Sequence, residues 1–345
     1  MMHRRTFLGN AVMTAAAAAL SSRAGAQQRL PVIRPSRLMP GDTVALVAPA
    51  SATFKTVELD IAKESLEALG LEVRIGGHLL DRHGYLAGLD RDRAEDINRF
   101  FTDASIKAIL PIRGGWGSSR LLPYLDYDVI RRNPKIVLGY SDITALLIAI
   151  HARTGLVTFH GPNGMGRWDE FSVGWVRRIL FEREAVAMEN PREKGEFLVQ
   201  TENRIQTITP GVARGRILGG NLSVLSAIIG SPYLPDWDGA ILFLEDVGED
   251  VYRIDRMMTT LKLAGVLERI RGFVFGTCSE CEPGEGYGSL TLEEVFNDHI
   301  KPLKVPAWQG AMIGHRMPQF TIAVGGQVEI DATAGRIRML EPAVN

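Results

Sequence analysis

Ser141 stands where an apolar segment gives way to a helical one, a place where a serine can act as a nucleophile. The stretch KIVLGYSDITALLIAIHART, residues 135–154, predicts a buried strand, a turn around Ser141 and Asp142, and a helix. A serine on a sharp strand-to-helix turn presents its hydroxyl to a substrate. Ser141 and Asp142 are also ordinary helix N-cap residues, so this stretch alone leaves both interpretations open.

A serine nucleophile needs a base, and the base needs a group that orients it. Among the seven histidines, His315 stands out because it ends the apolar segment PAWQGAMIGH. Strand ends are where α/β proteins place their chemistry. A histidine in this position can equally be an ordinary loop residue.

The candidate acid is Glu245, which ends the apolar segment ILFLE. Glu249 and Asp250 follow closely, and an acidic turn before the next helix explains both of them. A buried strand end is a less ordinary place for a carboxylate, which favours Glu245. No H-E-x-x-H pattern or paired histidine spacing occurs, so the sequence predicts no metal site.

A glycine-rich turn lies in AILPIRGGWGSSRLLPYL between a predicted strand and a predicted helix. Gly115 and Gly117 begin a dinucleotide motif, but Arg120 stands where that motif needs glycine, and no P-loop lysine is present. Backbone N–H groups in such a turn can bind a carboxylate or form half of an oxyanion hole. A tight turn without a ligand is the alternative.

Buried strands alternate with helices through the first half of the chain, which predicts a mostly parallel sheet covered by helices. We assign residues 31–182 to this N-terminal α/β domain. Residues 183–210 are polar and weakly periodic, and they are predicted to be a linker. Residues 211–342 hold short strand-like pieces broken by glycine and one clear helix, which predicts a smaller α+β domain with a partly closed sheet.

The first 26 residues are predicted to be an export signal. Arg4 and Arg5 precede an alanine-rich apolar stretch, and Ala24-Gly25-Ala26 is typical of a cleavage site. The arginine pair indicates the twin-arginine route and its export machinery, hence a periplasmic protein. The chain has a formal charge of −1 and no basic run, which argues against nucleic acid as a partner.

The two cysteines, Cys278 and Cys281, form a single C-x-x-C in GTCSECEPGEG. Structural zinc sites need a second pair of ligands, so no such site is predicted. A local disulfide is conceivable in the periplasm. The sequence favours two unpaired thiols in a loop.

Taken together, the motifs resemble the LD-carboxypeptidase family of serine peptidases, which includes the microcin C self-immunity peptidases. The resemblance runs over roughly residues 35–335, and its motifs occur in the family's order. They are GDTVALVAPAS, GYLAGLDRDRAEDINRFF, RGGWGSSRLLPYLD, LGYSDITALL, HGPNG, GRILGGNLSVL, ILFLEDVGEDVYRIDRMM and GH at 314–315.

The resemblance implies a Ser-Glu-His triad of Ser141, Glu245 and His315, with Glu249 as the fallback acid. It also implies an oxyanion hole built from the backbone N–H groups of Gly115, or Gly114, and of Asp142. The implied fold is a flavodoxin- or Rossmann-like N-terminal domain joined to a smaller C-terminal domain with a barrel-like sheet. The active site would lie between them, and neither metal nor organic cofactor is implied.

The implied reaction removes the terminal D-alanine from a murein tetrapeptide after the L-centre of diaminopimelate. The free carboxylate of that substrate needs a cation, and Arg113 and Arg316 are the candidates. Trp116 stands where the family usually has tyrosine, which can alter the pocket. The export signal is a second departure and favours action on the wall rather than recycling in the cytoplasm. A homodimer is an expectation common to such folds.

Overall fold

Two β-sheets with helices packed around them make up the structure, a computed structural model that describes residues 30–284 and 288–345. The predicted export signal, residues 1–26, lies outside the described residues. Within the described ranges, no helix has both the length and the apolar character needed to span a bilayer.

The strands, in chain order, are β1 (Thr43–Val47), β2 (Glu72–Ile75), β3 (Ile106–Pro111), β4 (Ile136–Gly139), β5 (Thr158–His160), β6 (Ala187–Glu189), β7 (Gln206–Thr209), β8 (Val212–Asn221), β9 (Ile241–Val247), β10 (Gly272–Ser279), β11 (Ala307–Gln309), β12 (Ile322–Val324), β13 (Gln327–Asp331) and β14 (Arg336–Met339). The α-helices are α1 (Thr56–Ala68), α2 (Asp90–Thr102), α3 (Tyr127–Arg132), α4 (Thr144–Thr154), α5 (Glu170–Val176), α6 (Leu222–Ala227), α7 (Val251–Leu263) and α8 (Leu292–His299). Short 3₁₀ turns cover Ser118–Tyr124, Ser141–Ile143, Leu267–Arg269 and Lys301–Leu303, and a π turn covers Arg177–Phe181.

The first sheet has six strands in the order β12-β5-β4-β3-β1-β2, and the strands from β5 to β2 are parallel. Its parallel part has the flavodoxin strand order, in which ligands bind beyond the carboxyl ends of the strands. The strands β1, β3 and β4 are buried along nearly their whole length. Helices on both faces require such continuous apolar strands. The predicted parallel N-terminal sheet is confirmed.

The second sheet has eight strands in the order β6-β14-β13-β8-β9-β10-β11-β7. The central strands β8 to β11 are parallel, and the outer strands pair antiparallel. The sheet is curled, as shown by the Thr207 hydroxyl on the end strand β7, which donates to the Ala332 carbonyl just beyond β13 (2.9 Å). A mixed sheet is present in the second half as the sequence predicts, but it has more strands than the first sheet, includes β6 and β7 from residues 183–210, and does not contain β12.

The two halves of the chain are interlocked around the ends of β4 and β9. Strand β12 comes from the second half but pairs antiparallel with β5 at the edge of the first sheet. The buried N–H of Asn221, at the end of β8, donates to the Thr144 hydroxyl at the start of α4 (2.9 Å). The carboxyl ends of strands from both sheets therefore meet in one place.

Residues 183–210, predicted to be a linker, contribute β6 and β7 to the two ends of the second sheet. Most side chains of these two short edge strands are exposed or half-buried, so the segments are polar and their periodicity is weak. The same composition would suit a linker, which is why the strands do not appear in the sequence pattern.

Cys278 and Cys281 form a disulfide, so the prediction of two unpaired thiols was wrong. The chain turns back directly after β10, which brings the two Cα atoms to 5.4 Å, within the range of a disulfide. The spacing of the cysteines alone does not reveal this turn. Cys278 is in register with Asp246 on β9, next to the candidate acid.

Candidate active site

Ser141 occupies a strained turn between β4 and α4, with a backbone φ of 66°. This left-handed conformation costs a residue other than glycine roughly 1–2 kcal/mol, and such strain concentrates at functional sites. The turn is held by Asn163, whose Oδ1 accepts the Tyr140 N–H (3.0 Å). Neither Ser141 nor Asp142 caps α4 with its side chain, so the N-cap interpretation was wrong.

His315 connects Ser141 to Glu245. Its Nε2 lies 3.0 Å from Ser141 Oγ, and its Nδ1 lies 2.7 Å from Glu245 Oε2. The backbone N–H of His315 also donates to the same oxygen (3.2 Å). Since a carboxylate can only accept, Nδ1 carries the proton and Nε2 is free to accept the Ser141 hydroxyl proton. The structure therefore brings the three predicted residues together in one hydrogen-bonded line.

Gly314 lets His315 sit this close to Glu245. Its φ is +85°, and a Cβ there would lie 2.1 Å from Glu245 Oε2. Glu245 is fully buried in β9, two residues before the strand ends at Val247, directly under this glycine. Any larger residue at position 314 would displace the carboxylate from the histidine.

Glu245 and His315 shift each other's pKa: His315 lowers that of the carboxyl, and Glu245 raises that of the imidazole. Burial alone would raise the pKa of Glu245, but the hydrogen bond and charge of His315 hold that pKa below its ordinary value. Burial lowers the pKa of His315, yet the hydrogen bond and charge of Glu245, with the charge of Asp246, leave that pKa above 6.5. Asp246 itself is buried, which raises its pKa to about 6.

These shifts predict a pH profile with an acid limb above pH 6.5. A protonated His315 cannot accept the Ser141 proton, so kcat/KM should rise with pH as the coupled pair loses its proton. The measurement is kcat/KM against pH on the purified protein. An acid limb centred well below pH 6.5 would contradict the prediction.

Glu249, the fallback acid, lies elsewhere. Its Oε1 accepts the Ser223 hydroxyl (3.2 Å), and its Oε2 faces the Arg253 guanidinium (3.5 Å). It makes an ion pair with the side chain one helical turn further on, as an acidic residue before a helix commonly does. Glu245 is therefore the glutamate in contact with His315.

The glycine turn lies against Ser141 and is fixed from three sides. The Ser51 hydroxyl accepts the Trp116 N–H (3.1 Å), and the buried Arg93 guanidinium donates to the Gly117 carbonyl (3.3 Å). On the third side, the Asp142 carboxylate accepts the Ser118 N–H (2.8 Å). Backbone N–H groups held in this way cost no reorganisation when negative charge develops beside them.

Gly115 is the most constrained position of this turn. Its φ is +109°, and a Cβ would lie 2.2 Å from Ser51 Oγ. We therefore expect Gly115→Ala to displace the turn and lower kcat by about 10²–10³-fold, the usual cost of one oxyanion donor. The control is Gly41→Ala, which also has a positive φ (+86°) but has open space around it. Steady-state kinetics that show equal effects for the two variants would contradict this role.

A cavity of about 220 Å³ opens beside the Ser141 hydroxyl. His315, Gly115 and Arg113 line it, so one of the predicted cations borders the candidate nucleophile. Arg113 is partly exposed and lies 3.9 Å from Glu58. Arg316 instead donates to Asn203 Oδ1 (2.6 Å), and the Trp116 side chain is exposed.

Within residues 30–284 and 288–345, one group has the geometry to hold a metal ion, and it consists of His78, Asp92 and Glu95. None of these belongs to the line from Ser141 to Glu245.

Two family models match the chain. LD-carboxypeptidase N-terminal domain covers residues 44–161, and LD-carboxypeptidase C-terminal domain covers residues 214–330. The chain belongs to the LD-carboxypeptidase family. It is accordingly an enzyme of the serine carboxypeptidase type, and the resemblance inferred from its motifs is confirmed.

Relatives of this LD-carboxypeptidase family member extend over most of its length. A probable murein peptide carboxypeptidase of Bacillus subtilis (strain 168) is 38% identical over 317 residues, which cover 90% of this chain and 95% of the relative. The microcin C7 self-immunity protein structure in its wild-type apo state has a TM-score of 0.82 and 26% identity, and the match covers 91% of this chain and all of that one. A muramoyltetrapeptide carboxypeptidase structure from Oxalobacter formigenes has a TM-score of 0.72 and 27% identity, with 86% and 97% covered.

Sequence reasoning did not single out the residues that hold the site together. Asn163, Ser51 and Ser118 lie within motifs used for the family resemblance, but nothing local marks their hydrogen bonds. Arg93 lies in a charged helical segment and is nevertheless fully buried. A buried role for such a residue emerges only when the glycine turn packs on α2.

Proposed function

We propose that the protein is a serine LD-carboxypeptidase that removes the terminal D-alanine from murein tetrapeptides, after the L-centre of diaminopimelate. The observation that carries this proposal is the hydrogen-bonded line from Glu245 through His315 to Ser141, beside a fixed glycine turn in an LD-carboxypeptidase family member. The muramoyltetrapeptide carboxypeptidase structure and the murein peptide carboxypeptidase relative support the substrate class.

The proposed reaction begins with attack of Ser141 Oγ on the peptide carbonyl while His315 Nε2 accepts the hydroxyl proton. Glu245 holds the imidazole in the required tautomer and stabilises the imidazolium that forms. The tetrahedral oxyanion is stabilised by the N–H groups of Gly115 and Asp142. His315 then protonates the departing amine of D-alanine, which leaves an acyl-enzyme on Ser141. Water, deprotonated by His315, hydrolyses this ester and restores the serine.

Arg113 is the better placed cation for the terminal carboxylate, since it lines the cavity with Ser141 while Arg316 is bound to Asn203. A guanidinium binds a carboxylate through paired charge-assisted hydrogen bonds. We expect Arg113→Met to raise KM for the tetrapeptide by about tenfold or more. A substrate ending in D-alaninamide should show no such increase, and Arg316→Ala is the matched control. An unchanged KM in Arg113→Met would remove this arginine from the carboxylate site.

The deciding experiment measures D-alanine released from disaccharide-tetrapeptide by the protein lacking residues 1–26, with Ser141→Ala alongside. Release that disappears in the variant supports reaction, nucleophile and substrate class together. A tetrapeptide with L-alanine at its end is the stereochemical control. No release from a folded protein that still reacts with a serine-directed probe would overturn the murein substrate.

A second candidate substrate is a peptidyl-nucleotide or acyl-amide antibiotic, and the similarity to the microcin C7 self-immunity protein favours it specifically. Comparison of kcat/KM on murein tetrapeptide and on a peptidyl-nucleotide separates the two. A non-catalytic periplasmic binding protein is the alternative from another class. Labelling by a fluorophosphonate that is lost in Ser141→Ala would exclude it.

We also propose that the protein works in the periplasm, on peptides of the wall itself, after twin-arginine export. The support is the order of Arg4-Arg5, apolar stretch and Ala24-Gly25-Ala26 in the sequence. Cell fractionation of the full chain, compared with Arg4→Lys/Arg5→Lys, tests the route. The proposed homodimer is tested by sedimentation of the processed protein.

A further inference from the structure

His160, the last residue of β5, is a buried histidine that the proposed mechanism does not use. It is in register with Gly139 on β4 and with Ile322 on β12, and its exposed fraction is 0%. Neither ring nitrogen has a hydrogen-bond partner among the described residues. An unpaired buried donor is costly, so a position of this kind requires an explanation.

The ring of His160 lies in the interior directly behind the line from Ser141 to Glu245. It packs edge-on against Phe243 on β9, at 5.3 Å between ring centroids, and near Tyr140 at 6.2 Å. Residues two apart on a strand share a face, so Phe243 and Glu245 extend from β9 toward the same side. His160 therefore faces the side of β9 from which the Glu245 carboxylate extends.

Glu245 has a matching unpaired atom. His315 occupies its Oε2 twice, through the ring and through the backbone N–H, whereas the buried Oε1 has no partner within the described residues. Burial lowers the pKa of His160 to about 4, so its ring is neutral at neutral pH and carries one N–H. The charge of Glu245 acts on the pKa of His160 in the opposite sense and raises it.

We propose that His160 is a positioning residue for Glu245, which its ring N–H supports at Oε1 through one buried water molecule. This inference rests on the proposed function, because it assigns Glu245 the role of orienting His315. The carboxylate would then be held at both oxygens, by His315 on the substrate side and by His160 on the interior side. A carboxylate held in this way keeps both its orientation and its charge.

The groups that titrate or carry charge around this position are Tyr140 from the end of β4, Glu245 and Asp246 from β9, and His315 from the segment before β12. Removal of the His160 N–H would make Glu245 easier to protonate. Without that N–H, the negative charge of Glu245 would also act more strongly on His315, and the imidazolium would lose its proton less readily. Both effects move the acid limb of the reaction toward higher pH.

The experiment measures the rate of fluorophosphonate labelling of Ser141 against pH in the parent protein, His160→Leu, His160→Gln and His160→Asn. We expect His160→Leu to label about tenfold more slowly at neutral pH, the loss of one hydrogen bond to a charged group, with its acid limb at higher pH. The glutamine and asparagine side chains each place an N–H near the position of one nitrogen of the His160 ring. At least one of them should restore the parent limb.

His151→Leu is the matched control. His151 is also fully buried, and burial also lowers its pKa to about 4, but it lies in the last turn of α4 with Nδ1 bound to the Leu156 carbonyl (3.0 Å). Its replacement should lower stability without moving the acid limb. A limb that is unmoved in folded His160→Leu, or moved equally in both leucine variants, would overturn the proposal.

A second measurement does not depend on the folding of any His160 variant. In protein labelled with ¹⁵N-histidine, the ring N–H signal of His160 should shift in Glu245→Gln, while that of His151 stays in place. An unshifted His160 signal would overturn the proposal. Because the probe reacts with Ser141 whatever the natural substrate is, a failure to release D-alanine would overturn the murein substrate and leave this result standing.

Discussion

Ser141→Ala is expected to lower the rate of D-alanine release by about 10⁶-fold, the loss seen when a serine nucleophile is removed from such a triad. The reason is geometric. Ser141 Oγ is the atom that lies 3.0 Å from His315 Nε2 and borders the cavity, and alanine offers nothing to attack with. The measurement is single-turnover release of D-alanine, with Ser65→Ala, a hydroxyl bound to its own helix at Ile61, as the control.

Glycine at the same position is expected to raise stability although it abolishes activity. Alanine keeps the strained φ of 66°, so Ser141→Ala should melt at nearly the parent temperature. Glycine adopts that conformation without steric cost, so Ser141→Gly should be inactive yet more stable by about 1 kcal/mol. Thermal unfolding of the three proteins tests this. Activity of Ser141→Ala within tenfold of the parent would disprove the nucleophile assignment.

Glu245→Gln is expected to lower kcat by about 10⁴-fold, as in other triads whose acid becomes an amide. A carboxamide can turn its NH₂ toward Nδ1, which would force the imidazole proton onto Nε2. That nitrogen could then no longer accept the Ser141 proton, although the fold would be unchanged. Glu245 is fully buried under Gly314, so no other carboxylate can take its place without rearrangement of the strand end.

Glu249→Gln is the matched control, because Glu249 lies four residues further on and contacts Ser223 and Arg253 instead of His315. It should retain nearly the parent kcat. Circular dichroism on both variants excludes unfolding as the cause of a loss. If Glu249→Gln were the inactive protein, the assignment of the acid would be reversed.

The sequence predicts those parts of the site that depend on strand ends. Ser141 directly follows β4 of the first sheet and Glu245 lies near the end of β9 of the second, and ligands bind beyond the carboxyl ends of such parallel strands. His315 ends the apolar segment of the sequence, but the strand there, β11, is only Ala307–Gln309, so His315 lies in the loop beyond it. The sequence also places the glycine turn correctly between β3 and the following 3₁₀ turn. It could not decide between N-cap and nucleophile at Ser141, since the same local preferences serve both.

The remaining features depend on contacts between distant segments. Strand β12 is three apolar residues long, and nothing local indicates that it pairs with β5 rather than with a neighbour in its own half. Edge strands β6 and β7 resemble a linker because most of their side chains are exposed or half-buried. The disulfide and the buried Arg93 follow from turns and helix packing that no spacing encodes.

The pairing of β12 with β5 also has a consequence for the order of events during synthesis. His315 is 174 residues from Ser141 along the chain, and β12 follows it closely. Domains generally fold as units during synthesis, the N-terminal one first. The Ser141 turn can therefore form while the histidine that accepts its proton has not yet been translated. Through most of translation the serine has no base, and hydrolysis can begin only after His315 and β12 have left the ribosome.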